Sequence, residues 1–165
     1  MPVKTIHIKN AIEHDVPQIL TMIREFAKFE NLLEFCEVTE EKLREAMFGD
    51  NPCIEGIMAF DETNKAAGYA LFYPNFASFR GQRGVYLEDL YVIPEMRLNG
   101  VGLALMKHLA KLAKLRGCER MDWQVLTWNQ PAIKFYHKLG ASQDSDERHF
   151  RLAGPDFERL ANANG

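Results

Sequence analysis

Residues 86–105 constrain the fold of this chain more than any other stretch. Their first part, residues 86–93, is largely apolar on both alternating faces, a pattern typical of an interior β-strand that is covered on both sides. Strict alternation predicts two sets of side chains on opposite faces: Tyr86, Glu88, Leu90 and Val92 on one, and Leu87, Asp89, Tyr91 and Ile93 on the other. The adjacent carboxylates Glu88 and Asp89 are therefore predicted to enter the protein in opposite directions, where burial requires partners or a chemical role.

A turn that contains two glycines follows this strand. Pro94 ends the strand, and residues 97–102, with the sequence RLNGVG, lead into a helix that is predicted to begin near Leu98. Glycines let the main chain approach a ligand closely where a helix presents unpaired N–H groups, and such a site favours phosphate. The turn is neither a P-loop nor a dinucleotide fingerprint, because no Lys-Ser/Thr follows Gly102 and the third glycine is missing. For the glycines alone, an ordinary strand–turn–helix remains the alternative.

A second motif lies downstream, at residues 127–141, with the sequence TWNQPAIKFYHKLGA. Together with the Arg-x-x-Gly-x-Gly spacing after Val-x-Pro, it resembles the acyl-CoA site of the GCN5-related N-acetyltransferases (GNAT). Within that family the chain is most similar to the diamine (spermidine/spermine) and thialysine acetyltransferases, because residues 86–92, YLEDLYV, and residues 27–30, AKFE, are similar to theirs. The resemblance covers nearly the whole chain. It implies one α/β domain over residues 1–165, with a mixed, mostly antiparallel sheet that contains a parallel, splayed strand pair and is flanked by helices.

The resemblance also implies that acetyl-CoA is the cofactor. It places the pyrophosphate on the main chain of the glycine turn, the pantetheine along the central strand and the thiol end near the second motif. Leu98 occupies a position where the family usually has Gly. The cofactor-binding residues that the resemblance implies are Leu90, Tyr91, Val92, Arg97, Leu98, Asn99, Gly100, Val101, Gly102, Leu103, Asn129, Ala132 and Tyr136.

Acetyl transfer to an amine needs a proton acceptor and a proton donor. An alkylamine has a pKa of about 10, so a proton must leave before the nitrogen can attack a thioester. Glu88 is a candidate recipient, because burial would raise its pKa toward useful base strength; a structural carboxylate is the alternative. Tyr136 can protonate the departing thiolate, although a core tyrosine is the alternative reading of any lone Tyr. The resemblance implies that a main-chain amide near residues 90–92 stabilises the oxyanion.

Acidic and aromatic residues supply candidate contacts to the acceptor amine. The residues that the resemblance implies for the substrate are Phe29, Glu30, Glu88 and Asp122, and the charge of Asp89 makes it a further candidate. Charge-assisted hydrogen bonds from these carboxylates fit a diamine or a lysine-like amino acid. The acidic loop at residues 31–38 is either a solvated rim or the mouth of a pocket. The sequence thus predicts acetyl transfer to a small primary amine by direct attack on the thioester; the alternatives are a peptide or protein N-acetyltransferase and a non-catalytic acyl-CoA-binding module.

Composition limits the partners. A net charge of −3 argues against general nucleic-acid binding, and no apolar run reaches the length of a membrane span. The histidines and cysteines show no metal-ligand spacing, so no metal is predicted. Three widely separated cysteines, Cys36, Cys53 and Cys118, suit the reducing cytoplasm and are predicted to be buried. Family resemblance further implies a homodimer in which Phe29 and Glu30 approach the partner's site.

Periodicity and turn residues predict the other elements. Helices are predicted from Asp15 to about residue 30, over residues 39–49, from the glycine turn to Gly117, over 132–139 and over 155–160. Strands are predicted over residues 3–8, 53–60, 66–73, 119–126 and 147–152, with a loop at 74–84.

Overall fold

A mixed β-sheet forms the centre of the first part of the chain. The computed structural model describes residues 5–163, which divide after Gln124 into two compact units. Within the described part of the first unit, five strands lie side by side in chain order: β1 (His7–Asn10), β2 (Glu55–Phe60), β3 (Ala66–Ala77), β4 (Gln82–Val92) and β5 (Arg120–Trp123). Neighbouring strands are antiparallel except β4 and β5, which are parallel. The predicted α/β class and mixed, mostly antiparallel sheet are confirmed.

Three helices of this unit pack on the sheet: α1 (Val16–Phe29), α2 (Glu40–Phe48) and α3 (Val101–Leu115). Thr39 caps α2 as predicted, since its hydroxyl accepts the N–H of Lys42 at 3.2 Å. Asp15 precedes α1, but its carboxylate accepts the N–H of Ile12 at 2.8 Å instead of capping the helix. Helix α3 begins at Val101 and not near Leu98, because Leu98 and Gly100 have left-handed φ angles of 62° and 80° that a right-handed helix excludes.

Two apolar layers enclose the sheet. One contains α1 and α2, and its buried members are Val16, Ile19, Leu20, Met22, Leu43, Met47, Met58, Tyr69, Leu71 and Tyr91. The other contains α3, whose buried stripe includes Val101, Leu105 and Leu109, and which contacts β2, β3 and β4. Because side chains alternate along a strand, Met58 joins the first layer while its buried neighbours Ile57 and Ala59 face the second.

A β-bulge in β4 changes which residues share a face. The register pairs Leu71 with Asp89 but Phe72 with Leu87, so Glu88 is an extra residue without a partner position in β3. The predicted alternation is therefore wrong across Glu88, because one inserted residue shifts all following side chains to the other face. Tyr86, Asp89 and Tyr91 of β4 consequently share one face, which is the face toward α1 and α2. Their partners on β3 are, in the same order, Tyr73, Leu71 and Tyr69.

The β3–β4 connection is a long hairpin and not the loop that was predicted at residues 74–84. Strand β3 continues to Ala77, a short turn covers Ser78–Arg80, and Gly81 adopts a φ of 61° before β4 begins at Gln82. Pro74 lacks an N–H group and therefore reads as a strand end, yet it lies opposite Val85 within the pairing.

Residues 125–163 form a second unit of helices and extended chain. It contains α4 (Gln130–Lys138) and α5 (Gly154–Ala161), which match the two predicted C-terminal helices closely. The strand predicted at residues 147–152 is wrong: a strand needs a neighbour for its hydrogen bonds, and none is formed within the described part of this unit. Phe150 is accordingly 88% exposed.

Three further expectations need correction. The first strand was predicted at residues 3–8; the structure has β1 at His7–Asn10, and residues 3 and 4 lie outside the described residues. The strand predicted at 119–126 is shorter and covers only Arg120–Trp123. The cysteines are not buried as predicted, since Cys53 is exposed and Cys36 and Cys118 are partly exposed.

Across residues 5–163, no helix combines the length and apolarity needed to cross a membrane.

Gly68 brings β3 and β4 into close contact, which gives a first prediction. A Cβ at Gly68 would lie 2.5 Å from the main-chain oxygen of Tyr91, which cannot move without shifting β4. We expect Gly68→Ala to lower the free energy of unfolding by about 1–3 kcal/mol, measured by urea titration. Gly56→Ala is the matched control, because its new Cβ would meet the flexible end of Met47 at 2.9 Å, and its loss should be smaller. Equal losses in the two variants would contradict the close approach.

Candidate active site

The start of α3 is a helix N-terminus without a side-chain cap. Gly100 occupies the N-cap position, no side chain bonds to the first-turn amides, and no acidic residue lies in the first turn. A Cβ built on Gly100 would meet no atom within 4 Å, so this side of the turn is open. Unpaired amides, a positive helix end and an open approach fit a phosphate group. Residues 98–103 therefore suit a ligand that carries phosphate groups.

The loop before α3 is held by its own side chains. Asn99 Nδ2 donates to the carbonyl of Arg97 at 2.9 Å, and Arg97 Nε donates to the carbonyl of Val92 at 3.0 Å. Leu98, in its left-handed conformation, is fully exposed, and glycine is the residue that adopts such a φ without strain. The side chains of Arg97 and Asn99 thus fix the loop, which leaves its main chain for ligand contacts.

The guanidinium of Arg97 also lies against two aromatic rings. It is 4.7 Å from the ring centre of Phe29, at the end of α1, and 5.6 Å from that of Tyr91, on β4. Of the predicted residues, the structure therefore brings Phe29, Tyr91, Val92 and Arg97 together. Their contacts connect the glycine-containing turn at residues 97–102, the glycine loop, to the end of β4.

Asp89 lies on the same face of β4 as Tyr91 and is partly buried. Tyr69 Oη donates to Asp89 Oδ2 at 2.9 Å. Burial raises the pKa of Asp89 to about 6; the hydrogen bond from Tyr69 opposes the rise, and the charge of Glu88 adds to it. The pKa of Glu30 is raised as well, first by burial and then by the charge of Asp89. The charges of Glu30 and Asp89 therefore act on each other, and an ammonium group between them would be stabilised by both.

Tyr91 and Glu25 extend this cluster along α1. Tyr91 Oη donates to Glu25 Oε2 at 3.3 Å, and the Tyr91 ring stacks on Phe26 with ring centres 5.4 Å apart. Burial and the neighbouring Glu25 raise the pKa of Tyr91. The cluster therefore combines carboxylates with aromatic rings, a combination that fits an aliphatic cation.

Glu88 differs from its prediction. The bulge leaves its side chain exposed and not buried as predicted. Its charge contributes to the raised pKa values of Tyr73 and Tyr86, whose rings stack at 5.0 Å, although burial is the larger cause for both. The adjacent Asp89 is the residue that enters the protein, because the extra residue turns it toward α1 and α2.

Asp122 is engaged within the sheet. Arg120 Nε and Nη2 donate to its two carboxylate oxygens at 2.8 and 2.6 Å, and Asn75 Nδ2 lies 3.5 Å from Oδ2. These hydrogen bonds, that of Arg120 foremost, lower the pKa of Asp122. Its charge is therefore already balanced, in contrast to the charges of Glu30 and Asp89.

The parallel pairing of β4 with β5 stops early. Their register runs from Gly84 opposite Arg120 to Leu87 opposite Trp123, whereas β4 itself continues to Val92. Residues 88–92 thus extend beyond the paired part of β5, which agrees with the predicted splay. Leu90, Tyr91 and Val92, the residues predicted to line the pantetheine, all belong to this segment.

The second motif forms the start of α4. Asn129 is 8% exposed, and its Oδ1 accepts the N–H of Ala132 at 3.3 Å, so it caps the helix. Tyr136 is partly buried, and its ring centre lies 5.3 Å from that of Phe135.

Within residues 5–163, no group of three or more His, Cys, Asp and Glu side chains could hold a metal ion.

Sequence reasoning missed Tyr69 and Glu25 and assigned Tyr91 only through its main chain. A signal was present for Tyr69: alternation places it in the core, and a buried phenol needs a hydrogen-bond partner. For Glu25 no such signal exists, because its position on α1 is typical of an ordinary solvent-facing helix residue.

Comparisons with known proteins identify the family. The profile of the Acetyltransferase (GNAT) family matches residues 20–141. The chain belongs to the GNAT family. It is 37% identical to the thialysine N-epsilon-acetyltransferase of Mus musculus over 165 residues, which cover 93% of this chain and 96% of the mouse protein. It is 34% identical to the Homo sapiens spermidine/spermine N(1)-acetyltransferase-like protein 1, over 93% of this chain and 23% of that protein.

A solved structure agrees with the fold of this GNAT protein. Integron cassette protein VCH_CASS6 from the mobile metagenome of V. cholerae superposes with a TM-score of 0.79 at 27% identity, over 96% of this chain and 98% of that one. The family and the full-length relatives together show that the protein is an N-acetyltransferase.

Proposed function

We propose that this GNAT protein transfers the acetyl group of acetyl-CoA to a primary amine of a small substrate. The observation that carries the proposal is the cluster of Glu30 and Asp89 near the end of β4, next to the glycine loop. Two neighbouring carboxylates with raised pKa values, lined by aromatic rings, would gain charge-assisted hydrogen bonds from an ammonium group.

The uncapped start of α3 would hold the cofactor. The amides of Gly100, Val101, Gly102 and Leu103 would bind its diphosphate, and the free segment 88–92 of β4 would run beside its pantetheine. When bound, coenzyme A supplies an acetyl thioester that an amine can attack directly. The loop residues Arg97, Leu98 and Asn99 would contribute main-chain contacts.

The protein residues would handle charge and protons. Asp89 and Glu30 would bind the acceptor as an ammonium ion and orient it. Glu88, exposed at the bulge, would take the proton through water so that the neutral nitrogen can react, and a main-chain amide near residues 90–92 would stabilise the oxyanion. The Tyr136 hydroxyl would protonate the leaving thiolate, because a phenol holds its proton at neutral pH.

The class of the acceptor amine is inferred from the carboxylates that surround the end of β4. Glu25, Glu30 and Asp89 favour an acceptor with an amine on an extended aliphatic chain, as in a diamine or a lysine-like amino acid. The mouse relative is named for thialysine and the human relative for its likeness to spermidine/spermine acetyltransferases, and both names support this choice.

A cytoplasmic homodimer is part of the same proposal. The end of α1 and the segment after it expose several large apolar side chains: Phe29 at 40%, Leu32 at 39%, Leu33 at 48% and Phe35 at 68%. Such a patch beside Glu30 is consistent with a partner that completes the acceptor site. Sizing by light scattering should give twice the chain mass; a monomer at micromolar concentration would contradict the dimer.

An acceptor screen tests the function. Purified protein with acetyl-CoA is offered spermidine, thialysine, lysine, short diamines and peptides, thiol release is followed, and products are checked by mass spectrometry. We expect transfer to small amines. Turnover with peptides alone would favour a peptide or protein acetyltransferase, and binding of acetyl-CoA without any turnover would favour a non-catalytic module.

A further inference from the structure

Tyr69 is a core residue whose hydroxyl reaches into the acceptor site. Its side chain is 0% exposed, and its Oη donates to Asp89 Oδ2 at 2.9 Å. In the β3–β4 register Tyr69 lies opposite Tyr91 and Leu71 lies opposite Asp89, so the phenol extends along the shared face to the carboxylate. A hydroxyl left unpaired at this depth would be strongly unfavourable, so the sheet register and this hydrogen bond depend on each other.

We propose that Tyr69 is a positioning residue of the acceptor site, whose hydroxyl orients the carboxylate of Asp89 and keeps it ready to receive an ammonium group. The inference rests on the proposed function and deepens it. Tyr69 itself would not contact the acceptor. Because its hydroxyl occupies Oδ2, Oδ1 is the oxygen left for the ammonium.

The charges around Asp89 show why such a donor is needed. The charge of Glu88, its neighbour on β4, acts on Asp89; Asp89 in turn acts on Glu30 at the end of α1, and Tyr69 on β3 donates a hydrogen bond to it. Burial, and after it the charge of Glu88, disfavours a negative charge on Asp89, whereas the hydrogen bond from Tyr69 favours it. Burial and the charge of Asp89 raise the pKa of Tyr69 itself well above its usual value, so the phenol remains a donor at every working pH.

Tyr69→Phe removes the hydroxyl and keeps the ring. Without the donor, Asp89 should be protonated up to a higher pH, and the acid limb of kcat/KM for the amine should move upward by about one pH unit. At pH 5 the KM for the amine should rise about tenfold and at pH 7 only about twofold, with kcat at saturating amine and the KM for acetyl-CoA unchanged. Raising the pH should restore the KM, which a merely structural role would not produce.

Two further variants make the test decisive. Tyr73→Phe, four residues along the same face of β3, removes a hydroxyl that bonds to no carboxylate within the described chain, and should leave the acid limb in place. Asp89→Asn keeps the Tyr69 ring in the core and should abolish the limb. An unmoved limb in Tyr69→Phe, or a limb that persists in Asp89→Asn, would overturn the proposal.

The failure of this inference is separable from failure of the proposed function. If the wild-type protein acetylates no small amine, the function itself is wrong. If the wild type turns over amines but Tyr69→Phe lowers kcat and raises both KM values at all pH values, Tyr69 is only a structural residue and the inference alone is wrong.

Discussion

Replacing Tyr136 by Phe should lower kcat by about 10²- to 10³-fold and leave the affinity for coenzyme A unchanged. The reason is that the variant retains the ring on α4, which stays beside Phe135, and loses only the proton that the leaving thiolate would take. Steady-state kinetics with a small amine would give kcat, and calorimetry with coenzyme A would give the affinity.

The acetyl donor offers the control for this prediction. A thioester whose thiol has a lower pKa needs less protonation on departure, so such a donor should recover part of the lost rate in Tyr136→Phe. An equal loss with both donors, or a loss of coenzyme A affinity in proportion to kcat, would show that Tyr136 shapes the site and does not donate the proton.

Replacing Asp89 by Asn should raise the KM for the amine by about 10- to 100-fold, because a charge-assisted hydrogen bond becomes a neutral one. The KM for acetyl-CoA should not change. Glu34→Gln is the matched control: it removes the same charge from an exposed position of the acidic loop at residues 31–38. An equal rise in both variants would mean that the loop attracts amines by its general field and is the mouth of the pocket.

The same variant should be more stable than the wild type at neutral pH. Burial holds the pKa of Asp89 near 6, above its usual value, so the folded protein binds this proton more tightly than the unfolded chain does. Its ionisation therefore costs stability as the pH rises from about 4 through about 6, and Asn avoids that cost. Thermal unfolding of both proteins at acid and at neutral pH would show a gap that opens with rising pH; a constant gap would contradict the raised pKa.

Local signals predicted most of the elements correctly. The capping residue Thr39, the closing Gly49 and the apolar stripe of α1 depend on neighbours in the chain, so the sequence alone fixes them. The glycine loop and the motif at residues 127–141 are also local, and both proved to begin helices as expected. Only the φ angles of Leu98 and Gly100 delayed the start of α3.

The bulge at Glu88 is the main feature that the sequence did not reveal. A bulge arises from how two strands pair, and nothing in residues 86–93 marks the extra residue. The bulge affects the candidate active site, because it exposes Glu88 and turns Asp89 inward toward Tyr69. The hairpin beyond Pro74 and the absent strand at residues 147–152 were misjudged for the same reason: a strand is defined by its partner.

The central claim is that the amides at the start of α3 hold the diphosphate of coenzyme A and so direct its thioester toward Asp89 and Glu30. The most direct measurement is an NMR titration of ¹⁵N-labelled protein, with pantetheine as the control ligand that lacks the diphosphate. The account predicts saturable shifts of the Gly100, Val101 and Gly102 amides with coenzyme A and much smaller shifts with pantetheine. Tight binding of coenzyme A that leaves these three amides unmoved would contradict it.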